Sequence, residues 1–189
     1  MQFKSHFHSL LGCCLLAAAS TFVSAQGTQP AAPPPGTHVS PSATYDKLLS
    51  GMEKEFVDAA EAMPADKYGF KPSVAGGEFK DVRSFGEEVK HVAQANYYFF
   101  HDPDAPASDK SKAIGTLTSK DDIVKALKES FAEAHKYIAG ITDENAFVMT
   151  KSGTRGGMAA FGIAHFMDHY GQMCVYLRMN GIVPPASRK

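Results

Sequence analysis

The sequence predicts an all-α fold, a four-helix bundle. Three observations carry this. Four stretches repeat apolar residues at the three-and-four spacing of a helix. Each stretch is bounded by capping residues or by proline and glycine. No stretch alternates apolar and polar residues with comparable regularity, as a half-buried strand would. The 189 residues suit one domain, and a hydrophobic fraction of 44% is enough for a core. Amphipathic helices joined by loops bury their stripes against one another.

The first helix is expected from Ser40-Pro41, where serine caps and proline occupies the first turn. Tyr45, Leu48, Leu49, Met52, Phe56, Ala60 and Met63 form its stripe, and Pro64 ends it. Residues 65–83 hold Pro72 and Gly76-Gly77 and lack sustained periodicity, so they read as a long loop across the bundle end. Ser84-Phe85-Gly86-Glu87 has the form of a capping box. The second helix should run from about Ser84 to Phe100, with Phe85, Val89, Val92, Asn96 and Phe99 inward. Asp102-Pro103 breaks it, and residues 107–118 read as a polar loop. Thr118 or Ser119 caps the third helix, whose first-turn Asp121 and Asp122 suit the positive end of the helix dipole. Its stripe is Ile123, Leu127, Phe131, Ala134, Ile138 and Ile141, closed by Gly140 and Thr142-Asp143. Residues 145–157 read as a mobile connector. They resemble a phosphate-cradling loop in composition only, lacking the glycine-lysine-serine/threonine ending and a preceding strand. The fourth helix spans about Gly157 to Asn180, with Gly181 at the C-cap and Pro184-Pro185 beyond.

The residues ahead of this domain have a different chemistry. Lys4 is the only charged residue before an apolar run from Leu10 to Val23, and Val23-Ser24-Ala25 supplies the small residues of a cleavage site. Residues 1–25 therefore read as a secretory signal cut near Ala25, which places the mature protein in the periplasm or outside the cell. The run is shorter than the ~20 residues a span needs, so no membrane span is expected after cleavage. Leu10-Leu11-Gly12-Cys13 fits a lipidation box loosely, and lipidation at Cys13 stays open as an alternative. Residues 26–40, with Pro33-Pro34-Pro35, read as a flexible linker to a bundle at 41–189. Cleavage removes Cys13 and Cys14, leaving Cys174 with no internal disulfide partner. A formal net charge of −1 without a basic block argues against nucleic acid as a partner.

The chemistry concentrates in the fourth helix. His165 and His169 stand four apart, on one face and about 6 Å apart along the axis, where two imidazoles can close on one ion. Met158, Phe161, Gln172, Tyr176 and Met179 share their stripe. A metal half-site and a pair of hydrogen-bonded core histidines both fit this pattern, and the amide of Gln172 one turn on favours the first. His91, at the border of the second helix's stripe, reads as a surface histidine or a third ligand. His135 flanks the stripe of the third helix. Glu88, one turn before His91, and Gln172 are the catalytic candidates, as proton-handling and orienting groups; Glu88 also reads as a solvated helix carboxylate. Asp168 points about 60° from His165 and stands behind a ligand or faces solvent. Phe166 occupies the place of the glutamate in a histidine-glutamate-x-x-histidine motif, so the general base of metalloproteases is missing. A second stripe, Phe166, Tyr170, Met173 and Leu177, lies roughly 110° from the first. It faces a neighbouring helix or the second copy of a homodimer.

Four motifs carry a family resemblance. They are Ala62-Met63-Pro64-Ala65-Asp66-Lys67-Tyr68-Gly69-Phe70-Lys71-Pro72, Arg83-Ser84-Phe85-Gly86-Glu87-Glu88-Val89-Lys90-His91-Val92, His165-Phe166-Met167-Asp168-His169-Tyr170-Gly171-Gln172 and Tyr176-Leu177-Arg178-Met179-Asn180-Gly181-Ile182-Val183-Pro184-Pro185. In this order they resemble the DinB-like (YfiT-like) family over about Tyr45 to Pro185. The resemblance implies an up-down-down-up four-helix bundle, often dimeric. In many members three histidines hold a divalent metal, and the matching positions are His91, His165 and His169. Some members are thiol-dependent transferases or isomerases using mycothiol or bacillithiol, others are described as metal-dependent hydrolases, and many have no known activity. The thiol-cofactor members work in the cytoplasm, from which the export signal here departs.

Three readings follow. One is an exported metal-dependent hydrolase or transferase acting on an unidentified small molecule. Another is a non-catalytic metal-binding or structural bundle. The third is a bundle whose histidines hydrogen-bond without metal. Three neutral imidazoles leave an ion its full charge and at least one open position, which suits hydrolysis. Imidazole donors suit zinc, nickel, copper and iron alike, with zinc or nickel the expected ions.

Overall fold

The computed structural model describes residues 32–102 and 109–189; the expected signal peptide, Cys13 and the first part of the linker lie outside them. The chain divides into two units, Met1–Thr37 and His38–Lys189. In the described part of the first, the Thr37 amide donates to the Pro34 carbonyl at 3.1 Å across a turn. The described residues of the second unit form five α-helices: α1 (Pro41–Ala62), α2 (Phe85–Phe99), α3 (Lys110–Gly115), α4 (Lys120–Ala139) and α5 (Arg155–Met179). Short 3₁₀ turns occupy Ala65–Lys67 and Pro185–Ser187.

The expected caps form. Ser40, Ser84 and Ser119 each accept a backbone N–H from the first turn of their helix, and Ser84 and Glu87 complete a reciprocal capping box. At the far end of α5, Gly181 takes φ 74°. There the Ile182 and Gly181 amides donate to the Leu177 and Arg178 carbonyls, the two bonds of a Schellman motif.

Three local expectations are corrected. The polar loop at 107–118 contains α3, a helix too short to show periodicity. Ile114 buries from it, Gln94 on α2 donates to the Ser111 carbonyl at 2.9 Å, and Lys90 donates to the Gly115 and Leu117 carbonyls. The connector at 145–157 is a small antiparallel hairpin, β1 (Met149–Thr150) paired with β2 (Gly153–Thr154). Its Gly153 adopts φ 107°, open to glycine but strained for other residues. Thr154 then caps α5 by accepting from the Gly157 amide, so α5 starts two residues earlier than expected.

Side-chain pairs fix the topology. Asp46 near the start of α1 meets His135 late in α4, and Glu61 at the end of α1 meets Lys128, so these helices run antiparallel. Tyr45 lies against Gly156 and the Phe56 ring lies 6.1 Å from that of Phe166, so α1 and α5 run parallel. Glu88 early in α2 meets His169, and Phe99 at its end meets Phe161, so α2 and α5 run antiparallel. The four long helices therefore run up, down, down and up. The crossover between the two parallel helices, α2 and α4, is where α3 sits. Phe56, Phe131 and Phe166 meet edge to face at the centre, with centroids 5.3–6.3 Å apart.

The second stripe of α5 takes the first of its two expected places, against neighbouring helices. Phe166, Met173 and Leu177 are fully buried within the bundle and Tyr170 is half-buried against it, so this face packs largely into the protein's own core. The histidine stripe runs along the α2–α5 seam and grades from exposed Phe161 through buried His169 to exposed Met179. Among the described residues no helix is long and apolar enough to cross a membrane.

The seam needs a small residue. A Cβ on Gly162 would lie 2.7 Å from the Phe100 ring and 2.9 Å from the Phe99 Cβ. Gly162→Ala should therefore destabilise the protein by about 1–3 kcal/mol, the usual range for overpacking, despite alanine's better helix propensity. Urea denaturation checks this; an unchanged or higher midpoint would show that α2 and α5 do not approach closely at Gly162.

Candidate metal centre

The site is assembled from two helices. The capping box at Ser84 fixes where α2 begins, and with it the faces on which Glu88 and His91 emerge. α5 contributes His165 and His169 from adjacent turns. Antiparallel packing brings all three histidines to one point of the seam, with one ligand nitrogen from each lying within 4.8 Å of the others. His91 Nε2 is 3.2 Å from His165 Nε2, and His169 Nε2 is 3.3 Å from the same atom. An ion about 2.0–2.1 Å from each nitrogen in tetrahedral geometry would hold neighbouring donors about 3.3–3.4 Å apart. These two separations match that edge and all three donors lie within 4.8 Å, so the residues could hold a divalent ion.

Glu88 sets the chemistry of His169. The His169 Nδ1–H donates to Glu88 Oε2 at 2.6 Å, and both side chains are buried, Glu88 to 1% exposure and His169 to 7%. This bond fixes the proton on Nδ1 and leaves the Nε2 lone pair directed at the other two rings. A carboxylate behind a ligating imidazole orients it and raises its basicity. Glu88 is thus buried against His169, not a solvated helix carboxylate.

His91 and His165 are held neutral by their surroundings. Partial burial, then the Arg83 guanidinium and the other two imidazoles, push the His91 pKa down to about 4. Burial and His169 push His165 in the same direction. Neutral rings offer lone pairs at physiological pH. The Phe99 ring lies 5.0 Å from that of His165 and walls the site on one side. On the other side His91 lines an open cleft of about 500 Å³, together with Lys71, Asp81, Arg83, Glu87, Lys90 and Gln94.

The remaining candidates lie elsewhere. Gln172 donates its amide to Asp168 at 3.2 Å, so these two residues engage each other. His135 sits between Asp46 and Glu53, at 2.6 and 2.8 Å, and ties α4 to α1. Cys174 is half-buried and free. Sequence reasoning missed the burial of Glu88, although its spacing carried the signal: Glu88 falls three after Phe85 and four before Val92, inside the inward stripe. It also missed Arg83, which no periodicity could place beside His91.

The DinB superfamily matches the chain over residues 48–173, well over half of its length. No curated protein matches.

The environment of His91 yields a titration. Its imidazole resonances in the metal-free protein should move near pH 4, well below the ordinary 6.5. Between those values the unfolded chain takes up the proton first, so stability should fall as pH drops through this window. NMR titration of the histidine ring protons measures it; a His91 midpoint at or above 6.5 would contradict the described site.

Proposed function

The chain belongs to the DinB superfamily, and we propose that it is an exported protein binding one divalent ion through His91, His165 and His169, and acting as a hydrolase on a small molecule. The observation that carries this reading is the convergence of three imidazoles, with His91 Nε2 and His169 Nε2 lying 3.2 and 3.3 Å from His165 Nε2. Three protein ligands leave a position open, as in catalytic rather than closed structural sites. An ion held there supplies Lewis acidity, activating water or polarising a carbonyl. The chain's own residues do the rest. Glu88 keeps the His169 ring turned toward the ion, the cleft beside His91 admits the substrate, and Phe99 excludes water on the opposite side. Glu88 is engaged with His169, so the carboxylates within reach of a molecule in the cleft are Asp81 and Glu87. Neutral imidazole donors without sulfur suit zinc and nickel, the ions proposed, as they also suit copper and iron.

Dialysis against zinc or nickel followed by elemental analysis should find one ion per chain. The double variant His165→Ala with His169→Ala should hold none at unchanged helicity, and Glu88→Gln should bind about 10–100-fold more weakly. One ion per chain in the double variant would refute the assignment.

Export rests on the basic start, the apolar run and Val23-Ser24-Ala25. The mature chain should begin at Gln26 and fractionate outside the cytoplasm. N-terminal sequencing decides this; an uncut chain beginning at Met1 in the cytosol would count against export.

A further inference from the structure

The seam that carries the three histidines has two chemically different ends. Both α2 and α5 define them, because the helices run antiparallel. Toward the N-terminus of α2 lies the cleft with Arg83, Lys71 and Lys90, three cations against the two carboxylates Asp81 and Glu87. Lys71 pairs with Glu87 at 3.4 Å, and Lys90 donates to the Gly115 and Leu117 carbonyls. The Arg83 guanidinium has no hydrogen bond or ion pair among the described residues. Its backbone, by contrast, is anchored: the Arg83 carbonyl accepts from the Tyr176 hydroxyl at 3.2 Å, which fixes the place from which the guanidinium reaches. An arginine so placed suits planar, bidentate recognition of a carboxylate or phosphate.

Toward the other end the seam turns aromatic. Tyr98 follows His91 by seven residues, on nearly the same face and about 10.5 Å further along the axis. Phe161 precedes His165 by one turn. The rings are continuous: Tyr98 meets Phe99 at 5.1 Å, Phe99 meets Phe161 at 5.2 Å, and Phe99 meets His165 at 5.0 Å. Yet Tyr98 and Phe161 are 71% and 61% exposed. Exposed aromatics leading up to a ligand set, opposite a cationic cleft, complement one kind of molecule.

We propose that the substrate is an amphiphilic small molecule whose anionic group is held by Arg83 at one end of the α2–α5 seam and whose apolar or aromatic group lies on Tyr98 and Phe161 at the other. This deepens the metal-hydrolase reading and rests on it for the reaction, because the bond to be broken is then centred at the histidines. Arg83 and the two rings bind and orient the substrate. Carboxylate and phosphate share the required chemistry at the cationic end.

The test uses three probes: ω-phenylhexanoate, its uncharged amide, and hexanoate without the ring. Each is titrated calorimetrically into the purified protein, zinc-loaded and metal-free. The phenyl acid should bind about tenfold more tightly than either of the others, the size of one charge-assisted contact or one buried ring. Arg83→Gln should remove its advantage over the amide, and Tyr98→Ser with Phe161→Ser its advantage over hexanoate, each leaving the other advantage in place. Both variants are at exposed positions, so folding is expected to persist and is checked by circular dichroism. Equal binding of acid and amide, or an acid preference that survives Arg83→Gln because the carboxylate sits on the metal alone, would overturn the proposal. So would a wild-type dimer that dissociates in the Tyr98/Phe161 variant, which would assign the aromatic end to a second copy. Metal content is measured separately. Discrimination in a protein that takes up no metal would retain this inference and retire the metal, and uptake without discrimination would do the reverse.

Discussion

The buried hydrogen bond between Glu88 and His169 sets the register of α2 on α5, and the rest of the site depends on that register. A carboxyl group withdrawn from water is costly unless it is hydrogen-bonded, and removing one member of a buried pair costs about 3–5 kcal/mol. Sliding α5 by one turn, about 5.4 Å, would put Met173 or His165 in the place of His169 opposite Glu88. It would also carry His165 and His169 past His91. The interaction that holds the helices in place is therefore the same one that selects the His169 tautomer. Gly162, against Phe99 and Phe100, sets the close approach of the two helices further along the seam.

Around this seam the bundle divides its labour. α1 and α4 supply the hydrophobic centre, where Phe56 and Phe131 clasp Phe166 from α5. α5 thus presents one face to the core and an adjacent face to the seam. Its dense apolar character, which invites the idea of a partner chain, follows from this central position. The segment after α1 is pinned as well: the Gly86 and Phe85 amides donate to the Tyr68 and Phe70 carbonyls, which draws the long loop against the start of α2 and holds Arg83 beside His91.

Much of this was legible in the sequence, for identifiable reasons. Helix ends marked by Ser40, Ser84, Ser119 and Gly181 are local chemistry, and local chemistry survives folding unchanged. The paired histidines of α5 are likewise local, since four residues bring them together in any helix. His91 was less legible: it joins the other two histidines only through a contact across 74 residues, and its position at a stripe border leaves it ambiguous without the family motifs. α3 and the hairpin were missed because six polar-rich residues and two-residue strands are too short to express a period. Arg83 was missed because its role comes from a loop anchored by backbone bonds, which carry no sequence signature. The second stripe of α5 stayed open between a neighbouring helix and a second copy for a related reason. Periodicity shows that two faces are apolar, but only the packing of α1 and α4 shows which of them the core takes.

The central claim is that three imidazole nitrogens, one from α2 and two from α5, hold a single ion. X-ray absorption spectroscopy of the metal-loaded protein tests it most directly, because it counts and identifies the atoms around the ion. The account predicts three nitrogen scatterers at about 2.0–2.1 Å with the outer-shell pattern of imidazole, one or more light-atom ligands besides, and no sulfur. A shell of oxygen atoms without imidazole scattering, or any sulfur contribution from Cys174, would contradict it.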